Sequence, residues 1–213
     1  MKRRLFSTAM LAATSLLGAT SAWAQQAFRS GKDYITLERP VATEAGNGKI
    51  EVLEFFWYSC PHCNQFEPAF EQWVKNVAKD VVVRRVPVAF RDDFVPQQRL
   101  YFTLEAMSLV EKMHNRVFTA IHGEKQMLNT DAAVLAWAEK QGIDKAKFEQ
   151  TYKSFGVATK AKRAVQLQND FKIEGVPSLG VAGRYYIDGT LAGSMPRALQ
   201  VADALIAQTR QGR

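Results

Sequence analysis

The sequence predicts an α/β fold in which a helical segment is inserted into a sheet. Three observations point to it. Ile50 to Tyr58 is rich in β-branched and aromatic residues and apolar on nearly both faces, as a central parallel strand is. A helical pattern and a second strand follow within about 40 residues, which makes a right-handed β-α-β unit. Residues 89–171 then read almost wholly as helix before the chain returns to short strands.

From Gln25 to Gly48 the chain reads as an extended lead-in. Tyr34-Ile35-Thr36-Leu37 is a short edge strand that Pro40 breaks, and Ala45-Gly46-Asn47-Gly48 is a turn. Pro61 to about Ala78 is an amphipathic helix, with Phe66, Phe70, Trp73, Val74 and Val77 on one face. Pro61 suits its first turn, whereas Pro68 inside it should cause a kink. Val81 to Val88 is the next strand. Helices are then expected over Gln97–Glu111, Asn115–Glu124, Asp131–Gln141, Lys145–Phe155 and Thr159–Phe171. Asn129-Thr130-Asp131 and Asp144 supply N-caps, and Gly142 a stop. Ser178 to Ala182 is a strand that turns at Gly183-Arg184 into an antiparallel partner, Tyr185-Tyr186-Ile187. Ser194 caps a last helix with Pro196 in its first turn.

The chain has 213 residues, 47% hydrophobic and 23% charged, enough to bury a core. Residues 1–24 read as a cleavable export signal. Lys2, Arg3 and Arg4 precede an apolar stretch too short to span a bilayer, and Ala22-Trp23-Ala24 fits the cleavage rule. Removing those three basic residues from the total of 28 leaves 25 against 21 acidic ones, a mature charge of +4. No dense basic tract accompanies it, so nucleic acid is not an expected partner. Lys160-Ala161-Lys162-Arg163 reads as a solvated helix face.

The only two cysteines lie in Cys60-Pro61-His62-Cys63, between the first long strand and its helix. Strand, paired thiols, then helix is a redox context. Export permits a disulfide to persist, but so short a loop makes it a weak staple. That leaves chemistry. At a helix start, unpaired N–H groups and the positive end of the dipole favour a thiolate on Cys60. Cys63, one turn in, suits a resolving thiol. His62 adds a donor and, when protonated, a positive charge beside the sulfur. Each unit taken off the thiol pKa is worth about 1.4 kcal/mol, or roughly 30 mV, towards easier reduction of the disulfide. The pair therefore reads as a disulfide donor.

Glu54 stands in the middle of the apolar strand, where an ionisable group is costly without a partner or a task. It is either a base for the Cys63 proton or a carboxylate satisfied by a nearby lysine or water. His114 and His122, without a second cysteine pair, do not complete a zinc site. Asn64 stands where covalent haem attachment needs histidine. Phe66, Phe70 and Trp73 read as helix core, and Trp57 and Tyr58 as a possible apolar substrate surface. No metal or cofactor is expected.

Glu54-Phe55-Phe56 ahead of Cys60-Pro61-His62-Cys63, the following Gln65-Phe66-Glu67, and Gly175-Val176-Pro177 after a helical insertion resemble the DsbA family of periplasmic thiol:disulfide oxidases. The resemblance in layout covers residues 25–213. It implies a thioredoxin-like domain from 25–88 and 172–213, with 89–171 as the inserted helical domain. It implies a nucleophilic Cys60, a resolving Cys63, a tuning His62 and a buried acid at Glu54. It also implies a cis peptide at Val176-Pro177, opposite the redox pair, where backbone groups align an extended substrate. Valine before this proline, where many thioredoxins carry threonine, favours the oxidase side. Trp57-Tyr58-Ser59 departs from the aromatic pair that the best-known members carry just before the first cysteine.

The resulting expectation is a monomeric periplasmic oxidoreductase that donates its disulfide to reduced, extended polypeptides. By resemblance, a quinone-linked membrane protein, DsbB, reoxidises it. The alternatives are a reductase or isomerase on the same fold, or a thioredoxin-like binding protein or chaperone with a structural disulfide.

Overall fold

The computed structural model describes residues 28–212. The export signal read over 1–24 lies outside them. A five-stranded sheet runs in the order β1-β5-β4-β2-β3. Its strands are β1 (Ile35–Thr36), β2 (Ile50–Phe56), β3 (Val81–Pro87), β4 (Ser178–Val181) and β5 (Tyr185–Asp188). β2 pairs parallel with β3 and antiparallel with β4, and the remaining pairs are antiparallel. All seven residues of β2 are buried, as its two-sided apolar pattern requires.

Among the described residues, eight helices surround the sheet. They are α1 (Pro61–Asn76), α2 (Val95–Ala106), α3 (Val110–Phe118), α4 (Asp131–Lys140), α5 (Lys145–Tyr152), α6 (Phe155–Asp170), α7 (Gly189–Ala192) and α8 (Met195–Gln211). On one sheet face, Ile50, Val52, Leu179 and Val181 pack against Phe66 and Phe70 of α1 and Leu199, Ala202 and Leu205 of α8. On the other, Leu53 and Phe55 join Leu100, Leu104, Leu167 and Phe171 in a core that continues into the helices between β3 and β4. Gly180 makes the second packing possible. A Cβ there would come within 2.5 Å of the Phe171 ring, so only glycine lets that ring lie on β4.

Several local expectations shift. α1 stops at Asn76, short of Ala78. The helix expected over Gln97–Glu111 is two helices, α2 and α3, parted at Ser108, whose φ is +59°. No glycine or proline marks that break. The segment expected over Asn115–Glu124 belongs partly to α3. It ends in a wide turn, Thr119–Gly123, with the Glu124 N–H on the Thr119 carbonyl at 2.9 Å. α5 stops at Tyr152, and α6 begins at Phe155 because the Ser154 hydroxyl caps Val157. Thr130, Asp144 and Ser194 act as N-caps, as read from the sequence. The β4–β5 turn centres on Ala182-Gly183, not Gly183-Arg184, and both residues have positive φ. No helix of the described residues is long and apolar enough to cross a membrane.

Candidate functional site

Cys60 is the N-cap of α1, with φ −77° and ψ 118°, and Pro61 opens the helix. The Cys60 N–H donates to the Trp57 carbonyl at 3.0 Å, which folds Trp57–Cys60 into a tight turn. α2 clamps that turn. Gln97 Oε1 accepts from the Ser59 N–H at 3.1 Å, and Gln97 Nε2 donates to Ser59 Oγ at 2.6 Å. Cys60 is 8% exposed and Cys63 1%, so the first sulfur is the one an incoming thiolate reaches. Both are free thiols here.

Their surroundings push the two thiols in opposite directions. Cys60 falls from an ordinary 9.0 to about 6. The hydrogen bond from Cys63 contributes most, followed by the backbone N–H groups of Cys63 and His62, then the His62 charge; burial opposes them. His62 itself is exposed. Burial, then the hydrogen bond and charge of Cys60, push the Cys63 thiol far above its usual range. The pair thus holds one thiolate, on Cys60, and one proton, on Cys63.

Glu54 lies behind the pair, 1% exposed. Its charged neighbour is an arginine where the sequence suggested a lysine. The parallel register sets Glu54 opposite Arg85, so both side chains leave the sheet on the face that α1 covers. Arg85 Nε stands 3.1 Å from Glu54 Oε2, at ion-pair distance, while neither Glu54 oxygen accepts an aligned hydrogen bond. Burial dominates, and the neighbouring Glu67 adds to it, so the Glu54 carboxyl is pushed up to about 8 against the pull of Arg85. The same guanidinium donates through Nη2 to Glu67 Oε1 on α1.

Val176-Pro177 is cis. Cys60 Sγ lies 3.3 Å from the Val176 carbonyl oxygen, a hydrogen bond that the protonated thiol donates and the thiolate does not. Beside them opens a cleft of about 520 Å³, lined by His62, Gln65, Phe66, Val176, Pro177 and Met195. Phe66 therefore serves both the core and the cleft wall. Tyr58 does not form a substrate surface. It is 1% exposed, with its hydroxyl 2.8 Å from His114 Nδ1. Trp57 is half-buried and stacks on Phe94 at 3.8 Å.

A family model described as a DSBA-like thioredoxin domain matches residues 51–200. The chain belongs to the DsbA-like family. It is 44% identical over 209 residues to the thiol:disulfide interchange protein DsbA of Bordetella parapertussis, covering 98% of this chain and 97% of that one. It is 39% identical over 208 residues to the DsbA of Burkholderia cepacia, with 98% of each covered. The crystal structure of Pseudomonas aeruginosa DsbA superposes with a TM-score of 0.83 at 37% identity, covering 87% of this chain and 96% of that one.

Within this DsbA-like site, Arg85, Glu67, His114 and Gln97 escaped the sequence reading. Arg85 carried a signal: a charged residue inside the apolar Val81–Val88 run, as anomalous there as Glu54 is in its own strand. Gln97 carried none, since its partner Ser59 lies 38 residues away. His114 and His122, weighed only as metal ligands, instead contact Tyr58 through its hydroxyl and its carbonyl oxygen, at 2.8 and 2.7 Å.

Proposed function

We propose that this DsbA-like chain is a periplasmic thiol:disulfide oxidoreductase that donates its Cys60–Cys63 disulfide to reduced, newly exported proteins. The observation that carries the reading is the placement of the two sulfurs, Cys60 at the N-cap of α1 and the more accessible, Cys63 buried one turn in; those surroundings lower the first thiol to about 6 and raise the second. A stabilised Cys60 thiolate makes the reduced form the favoured product, and so makes the disulfide a good oxidant. A substrate thiolate attacks Cys60 Sγ, breaking the enzyme disulfide and expelling Cys63 as a thiolate that takes up a proton. The substrate's second thiolate then attacks the mixed disulfide, forming its own disulfide and releasing Cys60 as a thiolate. Two electrons pass from substrate to enzyme.

In this reading Cys60 is the nucleophile, Cys63 resolves, His62 tunes Cys60, and Glu54 exchanges the proton of Cys63. The Val176 carbonyl, within hydrogen-bond reach of Cys60, and Pro177 receive an extended substrate backbone, with side chains entering the adjoining apolar cleft. We assign 25–88 with 172–213 to a thioredoxin-like domain and 89–171 to a helical insert. All strands of the described residues fall in the first, and only helices and turns lie between Asp92 and Asp170. A membrane quinone-linked protein of the DsbB kind is the partner that restores the disulfide.

Mixed-disulfide trapping tests the function. Cys63→Ser should accumulate client proteins on Cys60, identified by mass spectrometry, while Cys60→Ser should not. A Cys60→Ser, Cys63→Ser double variant that still forms disulfides in reduced clients would refute the proposal.

A further inference from the structure

The turn that delivers Cys60 is held by side chains from outside it. The Cys60 N–H on the Trp57 carbonyl makes Trp57–Cys60 a four-residue turn with Tyr58 and Ser59 at its centre. One peptide group joins those two central residues. Its carbonyl is that of Tyr58 and its N–H that of Ser59, and in a planar trans peptide the two point in opposite directions. Turning this one group over, by about 180°, is what separates the two common turn types. The bond that closes the turn survives either way, so it does not fix the orientation of the central peptide.

Two side chains fix it, one at each end. Gln97 Oε1 of α2 accepts from the Ser59 N–H at 3.1 Å. His122 Nε2 lies 2.7 Å from the Tyr58 carbonyl oxygen. A carbonyl oxygen only accepts, so Nε2 carries the hydrogen and His122 is the donor. Turning the peptide over would break both bonds at once. Gln97 could meet the flipped carbonyl only by turning its own amide, which would give up the bond from Nε2 to Ser59 Oγ at 2.6 Å.

The backbone around His122 is irregular where the contact is made. After α3 the chain widens over Thr119–Gly123, with the Glu124 N–H on the Thr119 carbonyl at 2.9 Å and the Gln126 N–H on the Ala120 carbonyl at 2.8 Å. Wide turns of this kind are rare and gather at functional sites. The His122 ring stacks on Phe118, with centroids 6.1 Å apart, and Phe118 in turn packs against the Tyr58 ring at 5.1 Å. The wide turn thus aims one imidazole at one backbone oxygen, two residues before the reactive sulfur.

We propose that His122 is a positioning residue for the redox pair: with Gln97 at the other end, it locks the Tyr58–Ser59 peptide in one orientation and so sets Cys60 at the start of α1. The setting matters because part of what stabilises the Cys60 thiolate is directional. The backbone N–H groups of His62 and Cys63 favour it only while the sulfur faces them, and the turn decides how the sulfur is presented. His122 acts on the sulfur only through this peptide.

The proposal deepens the oxidase reading, but its test does not use disulfide transfer. In the reduced, isotope-labelled mature protein, a single HNCO cross-peak correlates the Ser59 amide with the Tyr58 carbonyl carbon, and so reports both ends of the peptide. The Cys60 thiolate midpoint is followed by absorbance in the same samples. His122→Phe keeps a ring on Phe118 and removes the donor. It should move the Tyr58 carbonyl carbon upfield and weaken the preference for the held orientation by about threefold to tenfold, the worth of one hydrogen bond. The Cys60 midpoint should then rise by about 0.5 to 1 pH unit, since a tenfold change in an equilibrium is one pH unit. His122→Gln carries an N–H as many bonds from Cα as Nε2 is, and should restore both readouts. His122→Asn is one bond too short and should behave as the phenylalanine variant does; it decides the matter if His122→Phe does not fold. Either readout unmoved in a folded variant without the donor overturns the proposal, as does a midpoint that rises equally in His122→Gln. Failure of client trapping, by contrast, would overturn only the oxidase reading.

Discussion

The Cys60 sulfur and the Val176 carbonyl oxygen lie 3.3 Å apart across 116 residues of sequence. The contact places the more accessible sulfur at the mouth of the apolar cleft, while the helix start behind it favours its thiolate. The reactive atom, its activation and its substrate surface therefore meet at one point.

The order of influences on Cys60 is measurable. Thiolate absorbance of the reduced protein should show a midpoint near about 6. Cys63→Ala removes the largest contribution and His62→Ala a smaller one, so the first should raise the midpoint more than the second. The reverse order would contradict the account. Stability follows by linkage. A thiol lowered from 9.0 to about 6 in the folded state stabilises the reduced protein fully above pH 9 and loses that contribution as pH falls through 6. Relative to Cys60→Ser, the urea midpoint of reduced protein should climb between those limits.

Glu54 has the opposite sign. Its folded value, about 8, stands above the ordinary 4.5, so the folded state binds the extra proton between those limits. Stability therefore falls as pH rises through that window. Glu54→Gln removes the penalty. In the oxidised protein, the variant should gain on its parent by about 1.4 kcal/mol per pH unit at most within the window. Parallel unfolding curves from pH 5 to 8 would rule this out.

Gln97 ties the helical segment to the turn before Cys60. Gln97→Ala leaves the Ser59 N–H without its acceptor and opens a hole at a side chain only 1% exposed. The cost should be about 1–3 kcal/mol in chemical unfolding. Faster hydrogen exchange at the Ser59 amide should accompany it, and exchange at the parent rate would show that the clamp is not what orders the turn.

Much of the fold could be read directly because its signals are local. The two-sided apolar run of β2, the one-sided pattern of Phe66 and Phe70 on α1, and the caps Thr130, Asp144 and Ser194 each lie within a few residues of what they control. The boundary between α2 and α3 was missed for the converse reason. Ser108 takes a positive φ without glycine or proline to announce it, and the Leu109 N–H bonds back to the Leu104 carbonyl at 2.7 Å. Nothing local to Tyr58 records that α3 lies over it, with the His114 and Phe118 rings against its own.

Residue order alone is enough for the α/β class, the redox pair at a helix start and the anomaly of a carboxyl in an apolar strand. These are matters of composition and short-range periodicity. Which buried charges meet is settled only in three dimensions, because strand register brings Arg85 to Glu54 and helix packing brings Glu67 to Arg85 and His114 to Glu67. Charges that act across a few ångströms of low-dielectric interior can be far apart along the chain, and no local pattern records which of them will meet.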